Sequence, residues 1–150
     1  MVKKIFAYLI LFFCFSCNRS FVISETIIAT NYSGFQVECL VTTFEKNETD
    51  GVNKALRKTF ERLFFIGFPN TISNTPLVAN NSNTEKNNQL LKDFIDNKSY
   101  SPFVSSISHQ SRKNKVDKNN HFVTNTQIVI DISSLRRHLE TVGITRKFGY

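Results

Sequence analysis

Cysteine, glycine and long apolar runs are scarce in this chain, and their scarcity excludes several classes of protein. Three cysteines among 150 residues are too few for a small domain held together by several disulfides. Five glycines provide no glycine-rich phosphate loop, and no serine has the glycine-flanked setting of a hydrolase nucleophile. No apolar run reaches the roughly 20 residues that a transmembrane helix needs. The sequence therefore predicts no enzymatic activity and no bound cofactor.

The residues that are abundant predict a folded, basic domain. Hydrophobic residues make up 41% of the chain, with 15 phenylalanines among them, and this is enough apolar material for a core. Lysine and arginine outnumber aspartate and glutamate by 19 to 12, which gives a formal net charge of +7. A length of 150 residues is typical of one domain.

The N-terminal segment has the pattern of an export signal. Lys3 and Lys4 precede residues 5–15, which carry neither a charge nor a strongly polar group, and this order is typical of a secretory signal peptide. Ser16 and Cys17 end the run. A small residue directly before a cysteine at this place resembles the lipobox of bacterial lipoproteins. The resemblance implies cleavage before Cys17 and acylation of its thiol, whereas a plain signal peptide cut nearby or an uncleaved anchor is the alternative.

This interpretation divides the chain and places it in a cell envelope. It predicts a lipoprotein signal peptide at 1–16, an acylated N-terminus and short tether at 17–20, a single α+β domain at 21–145 and a C-terminal tail at 146–150. No acid follows Cys17 before Glu25. Lipoproteins that Bacteroidetes-type bacteria export to the cell surface resemble one another in acidic residues there, and Asn18 is not the aspartate that often retains lipoproteins at the inner membrane. We therefore expect the inner leaflet of the outer membrane, facing the periplasm.

The first part of the expected domain is a β-hairpin. Residues 21–30 contain enough β-branched side chains for a strand, and residues 31–34 have turn chemistry around Gly34. The following residues alternate, with Phe35, Val37, Cys39 and Val41 on one face. Such alternation predicts a half-buried strand paired with the first one.

Helices and a second pair of strands follow. Apolar residues at helical spacing from 52 to 64 predict a helix capped by Thr49 or Asp50 and ended by Gly67, and a shorter helix is expected at 84–97. Residues 100–109 predict a strand, 110–120 a polar hairpin loop, and 122–132 the most regular strand. Ser133 is expected to cap a last helix that directs Leu135, Leu139 and Val142 inward and that Gly143 ends.

The expected fold class is α+β, with the element order β-β-α-α-β-β-α. Hairpins on both sides of a helical middle predict a two-layer sandwich, in which an antiparallel sheet of about four strands has helices on one face. The anchors that carry this order lie at residues 35–40, 63–67, 76–78, 100–104 and 135–144. Together they resemble small uncharacterised envelope lipoproteins of Bacteroidetes-type bacteria, and because these anchors are apolar residues and glycines they imply a fold and no chemistry.

Single cysteine and histidine residues give little indication of a site. Cys39 lies on the apolar face of its predicted strand, where a thiol acts as a small hydrophobic group, so we expect it in the core. His109, His121 and His138 are too far apart in sequence for the close pairs typical of zinc sites. His109 and His121 are expected to approach each other only across the last hairpin. No metal site is predicted.

A basic cluster is the one candidate contact surface. Arg112, Lys113, Lys115 and Lys118 lie close together in sequence, with Asp117 among them. No aromatic residues are interleaved for base stacking, so nucleic acid is not an expected partner. After an export signal, anionic lipid headgroups are the expected partner of such a cluster. A solvated hairpin loop is the plainer interpretation.

These observations predict a lipid-anchored, periplasm-facing protein with a non-enzymatic role. The first hypothesis is an interaction or assembly accessory protein, which contacts the membrane through its anchor and binds another envelope protein. The alternative is a binding module for a lipid, a glycan or another small envelope ligand. A cavity between sheet and helices would favour the alternative, and a filled core would count against it.

Overall fold

A computed structural model describes residues 24–78, 84–114 and 121–145. These residues form four strands, three α-helices and one short 3-10 helix. In chain order they are β1 (Thr26–Asn31), β2 (Gln36–Glu45), α1 (Glu48–Phe65), α2 (Thr84–Asp96), the 3-10 helix (Ser101–Phe103), β3 (Val104–Asn114), β4 (His121–Asp131) and α3 (Ile132–Thr141). The predicted α+β class and element order are confirmed. Residues 1–23 and 146–150, with the predicted signal peptide, Cys17 and the tail, lie outside the described residues.

The four strands form one antiparallel sheet in the order β1-β2-β4-β3. β1 starts opposite the last part of β2, where β4 begins and β3 ends. We call this end of the strands the Glu45 end. The opposite end of the strands holds the β1–β2 turn, the start of β3 and the end of β4, and we call it the Gly34 end.

The predicted alternation in β2 and β4 places one face of the sheet in the core. Val37, Cys39 and Val41 are buried on β2, and their partners on β4 include Ile130 and Ile128, which are also buried. The prediction that Cys39 is a core residue is confirmed. Burial raises the pKa of its thiol to about 12, with a smaller contribution from the charge of Glu38, so the thiol stays protonated.

The three helices cover this inner face, and aromatic rings fill the space between the layers. Phe60 on α1 contacts Phe64 on the same helix and Phe94 on α2, with ring centroids 5.9 and 5.2 Å apart. Phe94 in turn stacks on Phe103, at 6.4 Å. All four rings are buried, so the space between sheet and helices is occupied by side chains.

The start of α1 approaches the sheet closely because residue 51 is glycine. The Thr43 hydroxyl, on β2, donates a hydrogen bond of 3.0 Å to the Gly51 carbonyl. A Cβ at residue 51 would lie 2.6 Å from Oγ1 and 2.9 Å from Cβ of Thr124 on β4. The missing side chain therefore permits this contact between α1 and the Glu45 end.

Both predicted N-caps were wrong by two or three residues. α1 begins at Glu48, and the Asn47 side chain accepts a hydrogen bond from the Asp50 N–H, so neither Thr49 nor Asp50 is the cap. Asp131 caps α3 in the place expected of Ser133, because its carboxylate reaches the Ser134 N–H at 3.0 Å. In each case the capping residue lies two or three positions before the predicted one, so the helix begins earlier by less than one turn.

The predicted helix ends are confirmed at both glycines. Gly67 has φ of +86°, and its N–H donates to the Arg62 carbonyl at 2.7 Å. Gly143 has φ of +74° and ends α3 in a Schellman motif, in which the Ile144 N–H donates to the Leu139 carbonyl at 2.9 Å. Positive φ is the conformation that glycine adopts without strain.

The polar segment after residue 109 is a strand and not a loop. β3 continues to Asn114, and residues 110–114 pair with β4 from Asn125 to His121. The side chains of this edge strand from Val104 to Lys113 are all exposed or half-buried, so no alternating apolar pattern distinguishes its polar residues from a loop. Only the remainder of the predicted loop, 115–120, lies outside the described residues.

None of the described helices lies on the outer face of the sheet, in agreement with the prediction of helices on one face, but the side chains of this outer face are not uniformly polar. Leu40 interrupts the alternation of β2 and lies on this face, 48% exposed beside its partner Ile28, which is 59% exposed. Val123 and Val129 on β4 are buried although they face away from the helices. The predicted inward position of Val142 was wrong, because it is 51% exposed after the end of α3.

Candidate functional site

Phe35, at the Gly34 end, has the most exposed large apolar side chain among the residues that the structure describes. The sequence predicted Phe35 on the buried face of β2, but β2 begins at Gln36 and the Phe35 ring is 70% exposed. The prediction was wrong because Phe35 lies beyond the last row of the sheet that the helices cover. Its backbone is nevertheless fixed, since its carbonyl accepts a hydrogen bond of 3.1 Å from the Ile132 N–H.

A tight turn presents the ring. Gly34 has φ of +53°, which lets the chain reverse between Asn31 and Gln36. The Tyr32 N–H donates to the Gln36 carbonyl at 3.1 Å, and the Gln36 N–H donates to the Ser33 carbonyl at 3.0 Å. The turn is therefore held from both sides, and Phe35 leaves it in one direction.

The loop after α1 supplies a second apolar side chain. The Ile72 N–H donates to Oδ1 of Asn31 at 3.0 Å, so this loop is attached directly to the end of β1. Ile72 is 38% exposed. Below it, the Phe68 N–H donates to the Ser73 carbonyl at 2.6 Å and closes the loop. Leu77 and its neighbour anchor the loop in the core, as the sequence predicted.

The third contribution comes from α3, which starts at the same edge. The hydrogen bond from the Ser134 N–H and those from the Ser133 and Ser134 hydroxyls outweigh burial and hold the pKa of Asp131 below its usual range. The carboxylate therefore stays ionised at the N-terminus of α3, where a negative charge is favourable. This cap fixes the first turn of the helix and with it the following positions, Arg136 and Arg137.

These elements form one surface, which we call the Phe35 patch. It surrounds a hollow of about 380 Å³, and its residues are Phe35, Ile72, Ile132, Arg136, Arg137 and Glu140. Two guanidinium groups and one carboxylate give it a positive balance. Exposed aromatic and arginine side chains are enriched where proteins bind one another. The patch is chemically suited to a protein surface that offers an apolar pocket and carboxylates.

A second hollow lies on the outer face of the sheet. Its volume is about 470 Å³, and it is lined by residues from all four strands, among them Ile28, Leu40, Gln110, Asn125 and Gln127. None of the described residues that line it is acidic, lysine or arginine, and His109 adds an imidazole. Hydroxyl and amide groups around aliphatic side chains suit an uncharged occupant.

An ion-pair cluster holds the start of β1 against α1. Lys54 Nζ lies 2.6 Å from carboxylate oxygens of both Glu25 and Glu45, and Lys58 pairs with Glu25 as well. Burial opposes ionisation of Glu25, but its hydrogen bonds and charge contacts with Lys54 and Lys58 prevail and lower its pKa. Hydrogen bonds from Lys54 to Glu25 and Glu45 raise the pKa of Lys54. Glu25 and Lys54 therefore stay charged near neutral pH.

The structure separates the described members of the predicted basic cluster. Arg112 is exposed and lies opposite Val123, whereas Lys113 lies opposite Phe122 on the other face of the sheet. The Lys113 Nζ atom is 5.5 Å from the centroid of the Phe122 ring, which is within the range of a cation–π contact. Lys115 and Lys118 lie outside the described residues. What Arg112 and Lys113 share is their position at the Glu45 end.

The histidines do not approach one another in the described residues. His109 pairs with Thr126, whereas His121 pairs with Asn114, five positions further along β3, so the expected approach across the hairpin was wrong. His138 lies 5.1 Å from the Phe103 ring. Within the part of the chain that the structure describes, no three histidine, cysteine or acidic side chains are grouped as metal ligands are.

Sequence reasoning missed the Phe35 patch entirely. The one signal that pointed to it is the position of Phe35 directly after the turn glycine, where a strand has not yet reached the covered part of the sheet. Among the residues described, no helix has the length and apolar character needed to cross a membrane. No protein-family model, curated protein or solved structure matches this chain.

Proposed function

We propose that this chain is a lipid-anchored, non-enzymatic protein of a bacterial cell envelope that binds another envelope protein through the Phe35 patch. The order of Lys3 and Lys4, an apolar run, Ser16 and Cys17 supports the anchor. The patch supports the interaction. On this proposal the protein is held at the inner leaflet of the outer membrane and faces the periplasm.

The single observation that carries the interaction is the Phe35 ring, exposed over 70% of its surface on a backbone that is hydrogen-bonded in place. A rigid, exposed aromatic side chain loses little conformational entropy when it is buried by a partner. Arg136 and Arg137 lie beside it and favour a partner with carboxylates around an apolar pocket. Burial of the Phe35 ring in that pocket supplies the affinity for the partner, and the charges of the two arginines fix how the partner is oriented on the patch.

The anchor is tested by a Cys17→Ser variant expressed in cells. The wild-type protein should sediment with membranes, and the mass of its N-terminus should correspond to an acylated Cys17. The variant should lose the acyl chains and leave the membrane fraction. A variant that still carries acyl chains, or that still sediments with membranes, contradicts the anchor.

The partner is tested by crosslinking in intact cells, followed by purification and mass spectrometry. Phe35→Ala should remove a stoichiometric envelope protein that the wild-type chain retains. Ile28→Ala, on the outer face of the sheet, is the matched control because it also truncates one exposed apolar side chain. A partner that survives Phe35→Ala contradicts the assignment to the Phe35 patch.

The outer-face hollow favours a second candidate, a binding module for a small uncharged envelope ligand such as a glycan. Its volume of about 470 Å³ lies within the range of small-molecule sites, and the described residues of its lining include no lysine, arginine or carboxylate. Such a ligand would lie on the outer face, since aromatic side chains occupy the space between sheet and helices. A ligand that copurifies with the wild type and is lost in Ile28→Ala, but not in Phe35→Ala, would select this function.

A further inference from the structure

Glu25, from which the proposed tether starts, and the basic end of β3 both lie at the Glu45 end of the strands. Thr26, the first residue of β1, pairs with Thr42, which pairs with Asn125, which pairs with Gln110. This row is the start of β1 read across all four strands. Arg112 and Lys113 lie two and three positions beyond it on β3.

The ion-pair cluster fixes the point from which the tether departs. Glu25 directly precedes β1, and Lys54 and Lys58 bind its carboxylate from successive turns of α1. The described part of the chain therefore begins at the Glu45 end, next to Glu25. Eight Cα–Cα steps separate Cys17 from Glu25 and span about 28 Å at most, and β1 and β3 are three strand spacings, roughly 14 Å, apart. The β3 side of the Glu45 end is thus within reach of any surface to which Cys17 is attached.

The side chains at this edge suit an approach along the strand axis. Arg112 and Lys113 belong to opposite faces of the sheet, so a surface laid against either face would contact only one of them. Both lie within two residues of Asn114, the last residue of β3, so a surface that approaches along the strand axis is the one that both can reach. Phe122, half-buried beneath Lys113, adds an aromatic ring at the same level. Aromatic and basic side chains together are typical of the headgroup region of a membrane.

Acidic residues define which side of the edge makes the contact. Glu48 and Asp50 are exposed in the first turn of α1, on the helical side of the Glu45 end. They are repelled by an anionic surface, whereas the carboxylates of Glu25 and Glu45 are paired with lysines. The β3–β4 side is therefore the side that an anionic surface attracts.

We propose that the anchored protein stands with the β3–β4 side of its Glu45 end against anionic lipid headgroups, which directs the Phe35 patch away from the membrane. This orientation rests on the proposed lipid anchor. It follows from two independent features, the position of Glu25 and the charges of Arg112 and Lys113. It also explains how a short tether leaves the Phe35 patch accessible to a partner, because that patch lies at the opposite end of the strands.

Fluorescence quenching in vesicles tests the orientation. Acylated protein carrying Gln110→Cys or Ser33→Cys is purified from membranes, labelled with a fluorophore and reconstituted into phosphatidylcholine vesicles that contain phosphatidylglycerol. Both positions are exposed, and the native Cys39 is buried and does not compete for the label. With a nitroxide on the lipid headgroup, the label at residue 110 should be quenched and the label at residue 33 should not. Equal quenching, or stronger quenching at residue 33, overturns the proposal.

Two readouts separate this proposal from the anchor itself. Protein that does not float with the vesicles refutes the anchor, whereas protein that floats but shows no difference between the two labels refutes only the orientation. An anchored molecule can turn either its Glu45 end or its Gly34 end towards the membrane. The double variant Arg112→Gln, Lys113→Gln should reduce the ratio of the first orientation to the second by about 25-fold, since each basic residue near an anionic surface contributes about fivefold.

The matched control for charge is the double variant Arg136→Gln, Arg137→Gln. It removes the same charge from the opposite end of the strands, and it should leave the difference between the two labels unchanged. If this control abolishes the difference as effectively as the Arg112 and Lys113 variant does, the effect is one of net charge, and the proposed contact is overturned.

Discussion

Replacing Gly51 with alanine tests the contact by which α1 is seated on the sheet. In an exposed helix, alanine is more favourable than glycine by about 1 kcal/mol. Here the new Cβ would lie 2.9 Å from the Cβ of Thr124 and 3.3 Å from the hydroxyl of Thr43. Two carbon atoms at their optimal separation lie about 3.5–4.0 Å apart. The helix start therefore has to move by roughly 1 Å from the sheet.

The cost of that movement exceeds the gain in helix propensity. Overpacking a well-packed contact costs about 1–3 kcal/mol. The displacement also lengthens the hydrogen bond from Thr43 to the Gly51 carbonyl, which is 3.0 Å long, and such a bond contributes about 1 kcal/mol. We expect Gly51→Ala to lower the free energy of unfolding by about 1–2 kcal/mol. Because Lys54 follows on the same helix, the ion pairs with Glu25 and Glu45 should weaken as well.

Urea unfolding followed by circular dichroism measures this change. Asn53→Ala is the control, because residue 53 is exposed on the same helix and alanine there should raise stability by a few tenths of a kcal/mol. Adding Thr124→Ala to the Gly51→Ala variant should recover part of the loss, since it removes the nearest atom, Oγ1. A Gly51→Ala protein as stable as the wild type would refute the close approach of α1 to the sheet.

Three further changes test other contacts. Gly67→Ala places a side chain on a residue with φ of +86°, and its Cβ would lie 2.6 Å from the Asn74 carbonyl oxygen. The midpoint of urea unfolding should therefore fall further than in an exposed-site variant, and an unchanged midpoint contradicts this. Asp131→Ala should cost about 1 kcal/mol at neutral pH through the lost cap to Ser134. Since the pKa of Asp131 is lowered, its contribution is present above pH 3.8 and is lost as the pH falls through the folded value, so the difference between variant and wild type should shrink in acid; a constant difference contradicts it. Cys39, with a pKa of about 12, should resist alkylation at pH 8 until denaturant is added, as mass spectrometry would show, and rapid alkylation of the native protein contradicts its burial.

The strand pattern of this fold was predictable because burial leaves a mark on the sequence. Val37, Cys39 and Val41 occupy alternate positions, and apart from Leu40 their neighbours are polar, since one face of β2 is covered by helices and the other is open. The amphipathic spacing in α1 has the same origin, and Gly67 marks its end because the chain there needs positive φ. Local physics of this kind gave the element order and the fold class.

Features that depend on distant parts of the chain were not predictable. Nothing in the local sequence shows that β4 lies between β2 and β3, or that the polar residues 110–114 are an edge strand. Phe35 is a large apolar residue, and it lies two positions before the buried Val37, where the alternation places a buried side chain. Its exposure is decided by where the helical layer ends, which is a property of the assembled sheet. The candidate site was therefore missed although the strand beside it was predicted.

Crosslinking from residue 35 itself in living cells tests the Phe35 patch most directly. A photoreactive amino acid replaces Phe35 in one strain and Ile28 in another, and the adducts of each are identified after irradiation. We expect one envelope protein attached through residue 35, none through residue 28, and loss of that adduct in the Arg136→Glu, Arg137→Glu background. An adduct formed only from residue 28, or one from residue 35 that is indifferent to the two arginines, would contradict the Phe35 patch as the site of interaction.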